Sequence, residues 1–364
     1  MSQNYVIKVL WSLPGFFATG KKAGLLFSSD ESRCTILRDP HMWWGWSIKE
    51  IFDLRRELIW GILPPWNALP QKLEGDYLWT LMSSSPLKVA CTFEKDLRPI
   101  YHIRRLPVGG SIGKLIDLKI IDNYALNSLI KRITETQNLG ASEGIITLYE
   151  AGIDVYKISE FLSAGLLGTW ERRRIIPTKS AIVIVDINVS NHLLSKIIKY
   201  SPIDCFEVYY SRYLDTTYAV LIMPGPWEHE QIKAVYLAGD WRVESQRETL
   251  REKPVFPGQI GGSYFPGRFA ITEYLHKRRR QGKVLLFREI EDRDSIAVGA
   301  WQVRESLRRA LEKEPQCYES LKGAVKDVLN SLNMPSKLWH QNSQLLSKSG
   351  CQTTLNPSKK SQEF

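Results

Sequence analysis

The feature that most constrains this sequence is the run AIVIVDI at Ala181–Ile187, which is rich in β-branched residues and almost free of polar ones. Such a run is typical of a strand that is covered on both faces. Asp186 would then lie at the end of that strand. A buried strand of this kind needs other elements packed against it, so we expect an α/β fold.

Helical patterns occur on both sides of this run. Ser47-Ile-Lys-Glu50 is a capping box followed by apolar residues at helical spacing, which predicts a helix over residues 47–60. The same spacing predicts helices over residues 122–133, 143–167 with a break at Gly152, 268–280 and 302–313. Strands are predicted over residues 88–93 and 283–288, and a hairpin over residues 206–210 and 218–223.

These elements predict a mixed α/β (α+β) protein of two intimately packed regions, residues 5–245 and 246–333, followed by a tail at residues 336–364. Beyond Met334-Pro335 the sequence is rich in Ser, Gln, Asn and Lys and has few large apolar residues. A segment of this composition cannot bury enough surface to order itself. We therefore expect the C-terminal tail to be flexible.

The cysteines and the hydropathy limit the class of protein. Cys34, Cys91, Cys205, Cys317 and Cys351 form no CxxC pair and have no histidine at metal-ligand spacing, so we predict no bound metal and no cofactor. No run of 18 residues is apolar and uncharged, and the first residues lack the features of a signal peptide. We therefore expect a cytoplasmic protein without a membrane segment, whose thiols are reduced.

The charge of the chain is unevenly distributed. It has 49 Lys and Arg against 39 Asp and Glu, a net charge of +10. Residues 166–364 hold 30 of these basic and 22 of these acidic side chains, so 8 of the 10 excess positive charges lie there. A polyanion such as nucleic acid is the first partner that this balance suggests.

Clusters of basic residues in the second half predict a nucleic-acid-binding site, because arginines in one groove can bind phosphates bidentately. Lys277–Arg280 have an alternative role, since cations also complement the C-terminal dipole of a helix. Twelve tryptophans allow base stacking, although most large aromatic side chains should be buried. The predicted site comprises Arg172, Arg173, Arg174, Arg268, Lys277, Arg278, Arg279, Arg280, Arg304, Arg308 and Arg309.

An enzymatic alternative depends on carboxylates. The six histidines are isolated in sequence, so no Ser/His/Asp or Cys/His relay can be identified and no catalytic residue is predicted from them. In a metal-dependent nuclease, Asp186, Glu289 and Glu305 would gather around a divalent ion. The other interpretation is that these three carboxylates pair with neighbouring arginines.

Several motifs, in their order along the chain, resemble the archaeal Nre DNA-repair family over most of residues 15–315. They are EFLSAGLLG at Glu160–Gly168, RRRIIPT at Arg172–Thr178, RFAITEYL at Arg268–Leu275, LFREI at Leu286–Ile290 and VGAWQVRES at Val298–Ser306. The resemblance implies a cytoplasmic protein of the DNA-damage response, and this role independently points to DNA as the partner. Because no active site can be identified in the sequence, we expect a non-catalytic adaptor that brings other repair factors to damaged DNA. The resemblance also implies contact with the replication sliding clamp in some members. It supplies no catalytic residue.

The chain departs from this family pattern at both ends. Only Cys34 lies in the region where some members have a cysteine-rich finger. Gln352-Thr-Thr-Leu355 matches the first half of a clamp-binding box, but Ser358 and Lys359 occupy the two aromatic positions. Buried aromatic anchors dominate the energy of such interfaces. We therefore predict no sliding-clamp contact through the tail.

Overall fold

The computed structural model describes residues 5–19, 22–63, 75–100, 110–123, 127–253, 263–291 and 299–348. The chain divides into two compact units, each made of separate stretches. Unit 1 comprises Met1–Lys196, Phe265–His276 and Ile296–Arg308, and unit 2 comprises Ile197–Tyr264, Lys277–Ser295 and Arg309–Phe364. The regions predicted from the sequence, 5–245 and 246–333, divide the chain differently and stay a prediction.

Unit 1 contains a sheet with the strand order β3-β2-β1-β4-β6-β5. Because β3 also pairs in parallel with β6, the sheet closes on itself. Alternate residues of β4 are buried, as expected of a strand with one face toward a core. The strands are β1 (Val6–Ala18), β2 (Ala23–Ser28), β3 (Ile59–Ile62), β4 (Leu87–Phe93), β5 (Arg98–Pro99) and β6 (Ser111–Ile120).

Unit 1 also contains nine α-helices in the part of the chain that the structure describes. They are α1 (Glu31–Arg38), α2 (Ile48–Arg55), α3 (Asp76–Met82), α4 (Ser128–Glu135), α5 (Ala141–Glu150), α6 (Val155–Ser163), α7 (Thr178–Ile197) and most of α8 (Tyr264–Arg278) and α9 (Ala300–Leu311). Of these, α1, α3 and α6 pack against the strands. The capping box at Ser47 is confirmed, but α2 ends at Arg55 and Ile59 begins β3, so the predicted helix over 47–60 is too long. The break at Gly152 is confirmed, and the helix predicted over 122–133 lies further along the chain, as α4.

The strand predicted at Ala181–Ile187 is wrong, because these residues form the middle of the long helix α7. Ala181, Val185 and Val189 are buried on this helix, and so is Asp186. A helix that is covered on all sides is apolar all round and therefore shows no helical period. Its sequence then resembles that of a buried strand.

Unit 2 contains a second sheet, with the strand order β10-β9-β11-β8-β7-β12. All its neighbouring strands are antiparallel except β9 and β11. The predicted hairpin is confirmed as β7 and β8, joined by Leu214 and Asp215, whose φ angles of 48° and 55° are those of a tight hairpin turn. The strands are β7 (Phe206–Tyr213), β8 (Thr216–Met223), β9 (Glu228–Leu237), β10 (Asp240–Thr249), β11 (Lys283–Ile290) and β12 (Gln316–Tyr318).

Three helices cover one face of this second sheet: α10 (Leu321–Asn330), α11 (Ser336–Asn342) and α12 (Gln344–Lys348). Residues 336–348 therefore belong to the folded unit, contrary to the predicted start of the tail. Trp339 is fully buried, with its ring 5.2 Å from that of Phe287. The buried Glu230 carboxylate accepts hydrogen bonds from the amides of Gln344 and Leu345. The half clamp box at 352–359 lies outside the described residues.

The mixed α/β class predicted from the sequence is confirmed, since helices and strands form both units. In the parts of the chain that the structure describes, no helix is both long and apolar enough to cross a membrane.

Candidate functional site

Unit 1 has a cleft of about 340 Å³ beside the end of α1 and the start of α6. Most of the residues that line it have polar or charged side chains, although their apolar atoms contribute much of the wall. Its lining residues are Thr35, Arg38, Asp39, His41, Ser84, Ser85, Pro86, Asp154, Tyr156, Lys157 and Glu160.

Helix α6 places an acid and a base at this cleft. Asp154 caps the helix by accepting the amide of Tyr156 at 2.7 Å. Lys157 and Glu160 follow one turn apart, with 3.6 Å between Nζ and Oε2, and their side chains are only 7% and 20% exposed. Buried apolar residues anchor α6, among them Ile158 and Phe161, and the centroid of the Phe161 ring lies 4.9 Å from Nζ of Lys157. The packing of the helix therefore fixes the position of the pair.

Burial shifts both pKa values toward neutrality. It lowers the pKa of the Lys157 ammonium to about 8, although the nearby Glu160 carboxylate acts in the opposite direction. It raises the pKa of Glu160 to about 7 against the effect of Lys157. Among the described residues, Oε2 of Glu160 has no hydrogen-bond partner. Shifted pKa values of an acid and a base at one cleft are typical of functional sites.

His41 connects the cleft to helix α9. It lies in a short 3-10 helix (Pro40–Trp43), with Nδ1 2.7 Å from a Glu305 oxygen and Nε2 3.0 Å from an Asp154 oxygen. These two hydrogen bonds raise the pKa of His41 to about 10, so the imidazole is charged at neutral pH. Tyr156 donates its hydroxyl to the other oxygen of Glu305 at 2.8 Å. The start of α6 is thereby held against α9.

Three of the predicted nucleic-acid-binding arginines are engaged inside unit 1. Arg304 and Asp186 are fully buried and form an ion pair at 2.5 Å. Arg308 makes a two-pronged contact with Glu273 at 2.7 and 2.9 Å. Arg268 is 3% exposed and donates to the Asn191 side chain at 3.0 Å. These guanidinium groups are bound by protein partners; Arg268 and Arg304 are buried, and the Arg308 side chain is 17% exposed.

The segment Arg172–Arg174 has a different character. Arg173 donates to the carbonyls of Gly168, Thr134 and Thr136 at 2.8, 2.6 and 3.0 Å, so it fixes the local backbone. Arg172 and Arg174, on either side, are exposed. The ring of Trp170, which lies in the same short 3-10 helix as Arg172, is 60% exposed. We call Trp170, Arg172 and Arg174 the Trp170 surface.

The remaining predicted residues, Lys277–Arg280 and Arg309, belong to unit 2. Lys277, Arg278 and Arg279 are exposed at the end of α8, where Arg279 has a φ of 52°. Arg278 donates to the buried carboxylate of Glu207 at 2.6 Å, and Arg309 pairs with Glu312 at 3.1 Å. The eleven predicted residues are therefore divided between the two units, and they differ in exposure.

The three predicted nuclease carboxylates do not form one cluster. Asp186 and Glu305 pair with the α9 arginines Arg304 and Arg308, as the alternative interpretation expects. Glu289 belongs to unit 2 and accepts the backbone amides of Asn333 and Met334. Within the described ranges, no group of three or more His, Cys, Asp or Glu side chains is placed to hold a metal ion.

Sequence reasoning missed the cleft. Lys157 and Glu160 stand three residues apart in the sequence, as do many surface ion pairs of helices. The EFLSAGLLG motif that contributes to the family resemblance begins at Glu160, and this was the one available signal. The burial of the pair, which sets its chemistry, depends on the packing of the whole unit.

Curated relatives of this chain are DNA-repair proteins by name. DNA repair protein NreA of Haloferax volcanii is 31% identical over 221 residues, which are 58% of this chain and 53% of the relative. DNA repair protein NreB of Archaeoglobus fulgidus is 27% identical over 323 residues, 87% and 81% of the two chains. NreA of the same organism is 25% identical over 227 residues, 61% and 57%. The matches thus span only about half the length of the two NreA relatives.

No solved structure matches this chain. Two family models do match it. The model described as "Archaeal Nre, N-terminal" covers residues 22–242, and the one described as "Archaeal Nre, C-terminal" covers residues 246–357. Because the first of these alone covers more than half of the sequence, the chain belongs to the archaeal Nre family, which its motifs resemble.

Proposed function

We propose that this protein acts in DNA repair by binding DNA, and that the Trp170 surface of unit 1 is a site of contact. The names of its relatives support the repair role. One observation supports this choice of site. The exposed ring of Trp170 and the exposed side chains of Arg172 and Arg174 lie in one segment, whose backbone is held by hydrogen bonds from Arg173.

The chemistry of the Trp170 surface suits unpaired bases. A base that stacks on an aromatic side chain gains about 1–3 kcal/mol, and this gain depends little on the sequence. Arg172 and Arg174 would contact the neighbouring phosphates, each releasing counterions. Because three hydrogen bonds from Arg173 already order the segment, binding would cost little further conformational entropy.

A second set of exposed cations extends the proposal in unit 2. Lys277, Arg279 and Arg309 would contact phosphates independently of sequence. The pair between Arg309 and Glu312 is no obstacle, since both side chains are about half exposed and such pairs contribute less than about 1 kcal/mol. We do not propose that Arg268, Arg304 and Arg308 contact DNA, because their side chains are already paired within the protein.

We propose further that the protein acts as an adaptor in the cytoplasm. A cytoplasmic adaptor would bring other repair factors to damaged DNA, and it would make no clamp contact through its tail. We do not propose a nuclease at Asp186, Glu289 and Glu305, because each carboxylate is engaged by its own protein partners.

Fluorescence anisotropy with labelled single-stranded, forked and duplex DNA tests the proposal. Trp170→Ala should weaken binding of single-stranded DNA by about 5- to 150-fold, which corresponds to the loss of one stacked base. The double variant Arg172→Glu/Arg174→Glu should lower the salt dependence of the affinity by about two units, since two phosphate contacts are lost.

Arg56 provides a matched control. It lies in unit 1, its side chain is 66% exposed, and it pairs only weakly with Asp53. Arg56→Glu changes the net charge as one of the test substitutions does and should leave the salt dependence unchanged. If the wild-type protein binds no DNA at low salt, or if all these variants bind alike, the proposed contact site is wrong.

A further inference from the structure

We propose that the cleft beside α6 is a carbonyl-binding catalytic site, in which the Lys157 amine forms an imine with the aldehyde of an abasic deoxyribose in DNA and Glu160 transfers the protons. This inference rests on the proposed function, since the protein must first reach damaged DNA.

The geometry places a nucleophile and a proton-transfer group at one cavity. Nζ of Lys157 and Oε2 of Glu160 lie 3.6 Å apart, and both side chains line the cleft. The cleft volume of about 340 Å³ is within the range of small-ligand sites, so it can accept a sugar with its phosphate. A carbonyl carbon bound at Nζ would lie within reach of the Glu160 carboxyl group.

The protonation of the pair distinguishes a reactive site from a structural ion pair. In a structural pair the partners stabilise each other's charge, which would raise the pKa of the lysine and lower that of the glutamate. Here burial outweighs this effect, and the two pKa values approach each other at about 8 and about 7. Near neutral pH part of the amine is therefore uncharged and nucleophilic, and the carboxyl can both give and accept a proton.

The other charges of the cleft suit a phosphorylated sugar. Arg38 lines it with a guanidinium group that is held by a hydrogen bond to the carbonyl of Ser84 at 2.9 Å. The charged His41 imidazole is shared between the carboxylates of Asp154 and Glu305. Asp39, which also lines the cleft, accepts the backbone amide of His41. An abasic site presents one aldehyde and the phosphates on either side of it. Arg38 can pair with one phosphate while the aldehyde reaches Lys157.

The proposed reaction balances without an oxidant or a metal. Nζ adds to C1′ of the aldehyde, and the resulting carbinolamine loses its hydroxyl as water with the proton of Glu160, which leaves a protonated imine. The Glu160 carboxylate then removes a proton from C2′. The released electron pair forms the C2′=C3′ bond, and the 3′-phosphate leaves with the electrons of its C3′–O bond. Water hydrolyses the imine, restores the amine and releases the unsaturated aldehyde.

Borohydride reduction tests the inference, because it converts an imine into a stable amine bond. The full-length protein is incubated with a labelled duplex that contains one abasic site, and the reduced adduct is detected on a denaturing gel and mapped by mass spectrometry. We expect one adduct, on Lys157. Lys157→Gln should abolish it, whereas Lys179→Gln, which alters an exposed lysine at the start of α7, should keep it.

Glu160→Gln separates imine formation from strand cleavage. The variant should still form an adduct, but more slowly, because water must then supply the proton for dehydration of the carbinolamine. The strand should be cleaved at least about 100-fold more slowly than by the wild type, since general acid–base catalysis contributes about 10²–10⁴-fold. Thermal unfolding of each variant shows whether it is folded. Mapping the adduct on the wild-type protein tests the proposal even if a variant does not fold.

A second experiment distinguishes failure of the proposed imine from failure of DNA binding. Free 2-deoxyribose 5-phosphate, with the same reductant, probes the cleft without any DNA surface. A wild-type protein that binds intact DNA but gives no adduct with either aldehyde would overturn the inference and leave the proposed function standing. An adduct mapped to another lysine would overturn it as well. An adduct at Lys157 with the free sugar, in a protein that binds no DNA, would instead refute the proposed function and support the carbonyl site.

Discussion

Replacing Arg304 by methionine would break the buried ion pair between Arg304 and Asp186. Both side chains are 0% exposed, and the Arg304 guanidinium also lies 4.6 Å from the ring centroid of Tyr156 and 5.3 Å from that of Phe269. Arg304→Met would leave the Asp186 carboxylate buried without its cation. Removal of one partner of such a pair costs about 3–5 kcal/mol. In a unit of this size we expect the melting temperature to fall by about 6–20 °C.

Urea denaturation followed by tryptophan fluorescence measures this loss, and Asp186→Asn in the same background is the matched comparison. The double variant has no unpaired charge, so it should be more stable than Arg304→Met alone, and a double-mutant cycle would give the coupling of the pair. If Arg304→Met unfolded within about 1 kcal/mol of the wild type, the pair would contribute far less than such buried pairs do and the reasoning would be refuted.

The same variant has a pH signature. Burial already raises the pKa of Asp186 against the effect of Arg304. Without the arginine this folded-state pKa should rise further above the unfolded value of about 3.9. A carboxyl whose folded pKa is raised disfavours folding once the unfolded chain ionises. The stability deficit of Arg304→Met should therefore be small near pH 3 and should grow as the pH rises through 4 toward neutrality.

Three further predictions concern other parts of the molecule. The pKa of His41 is raised to about 10, so His41→Asn should cost most stability below pH 6.5, and its deficit should vanish above pH 10; a deficit that does not change with pH would contradict this. Sγ of Cys205 lies 2.9 Å from Sγ of Cys317, so oxidised glutathione should join them by thiol–disulfide exchange and close a loop of 112 residues. This disulfide should raise the free energy of unfolding by about 5 kcal/mol. Mass spectrometry should show the loss of two hydrogen atoms, and Cys205→Ser should prevent that loss. Trp339→Ala should destabilise unit 2 by about 3–5 kcal/mol because the ring is fully buried, whereas a neutral effect would place residues 336–348 outside the core.

Local signals in the sequence predicted local structure correctly. The capping box at Ser47 could be predicted because its donor and acceptor groups are three residues apart, and both of its hydrogen bonds are present. The hairpin of β7 and β8 is likewise set by a two-residue turn. Neither depends on where the rest of the chain lies.

Properties that depend on burial could not be predicted from the sequence. Arg304 and Arg172 look alike in sequence, but the partner that buries Arg304 lies 118 residues away along the chain. The helix around Asp186 resembled a strand because all the other residues of Ala181–Ile187 are apolar, so the run shows no helical period. The pKa values at the cleft likewise follow from desolvation, which is a property of the folded unit.

The division of unit 1 along the chain has a consequence for protein synthesis. A ribosome that has completed the N-terminal family region, at residue 242, has already made Asp186 but not Arg304, and both belong to unit 1. Until about sixty more residues emerge, helix α7 carries a carboxylate whose counter-ion has not been translated. The nascent chain must therefore keep this helix hydrated or protonated, and a gene truncated between the two family regions would encode a protein in that unfinished state.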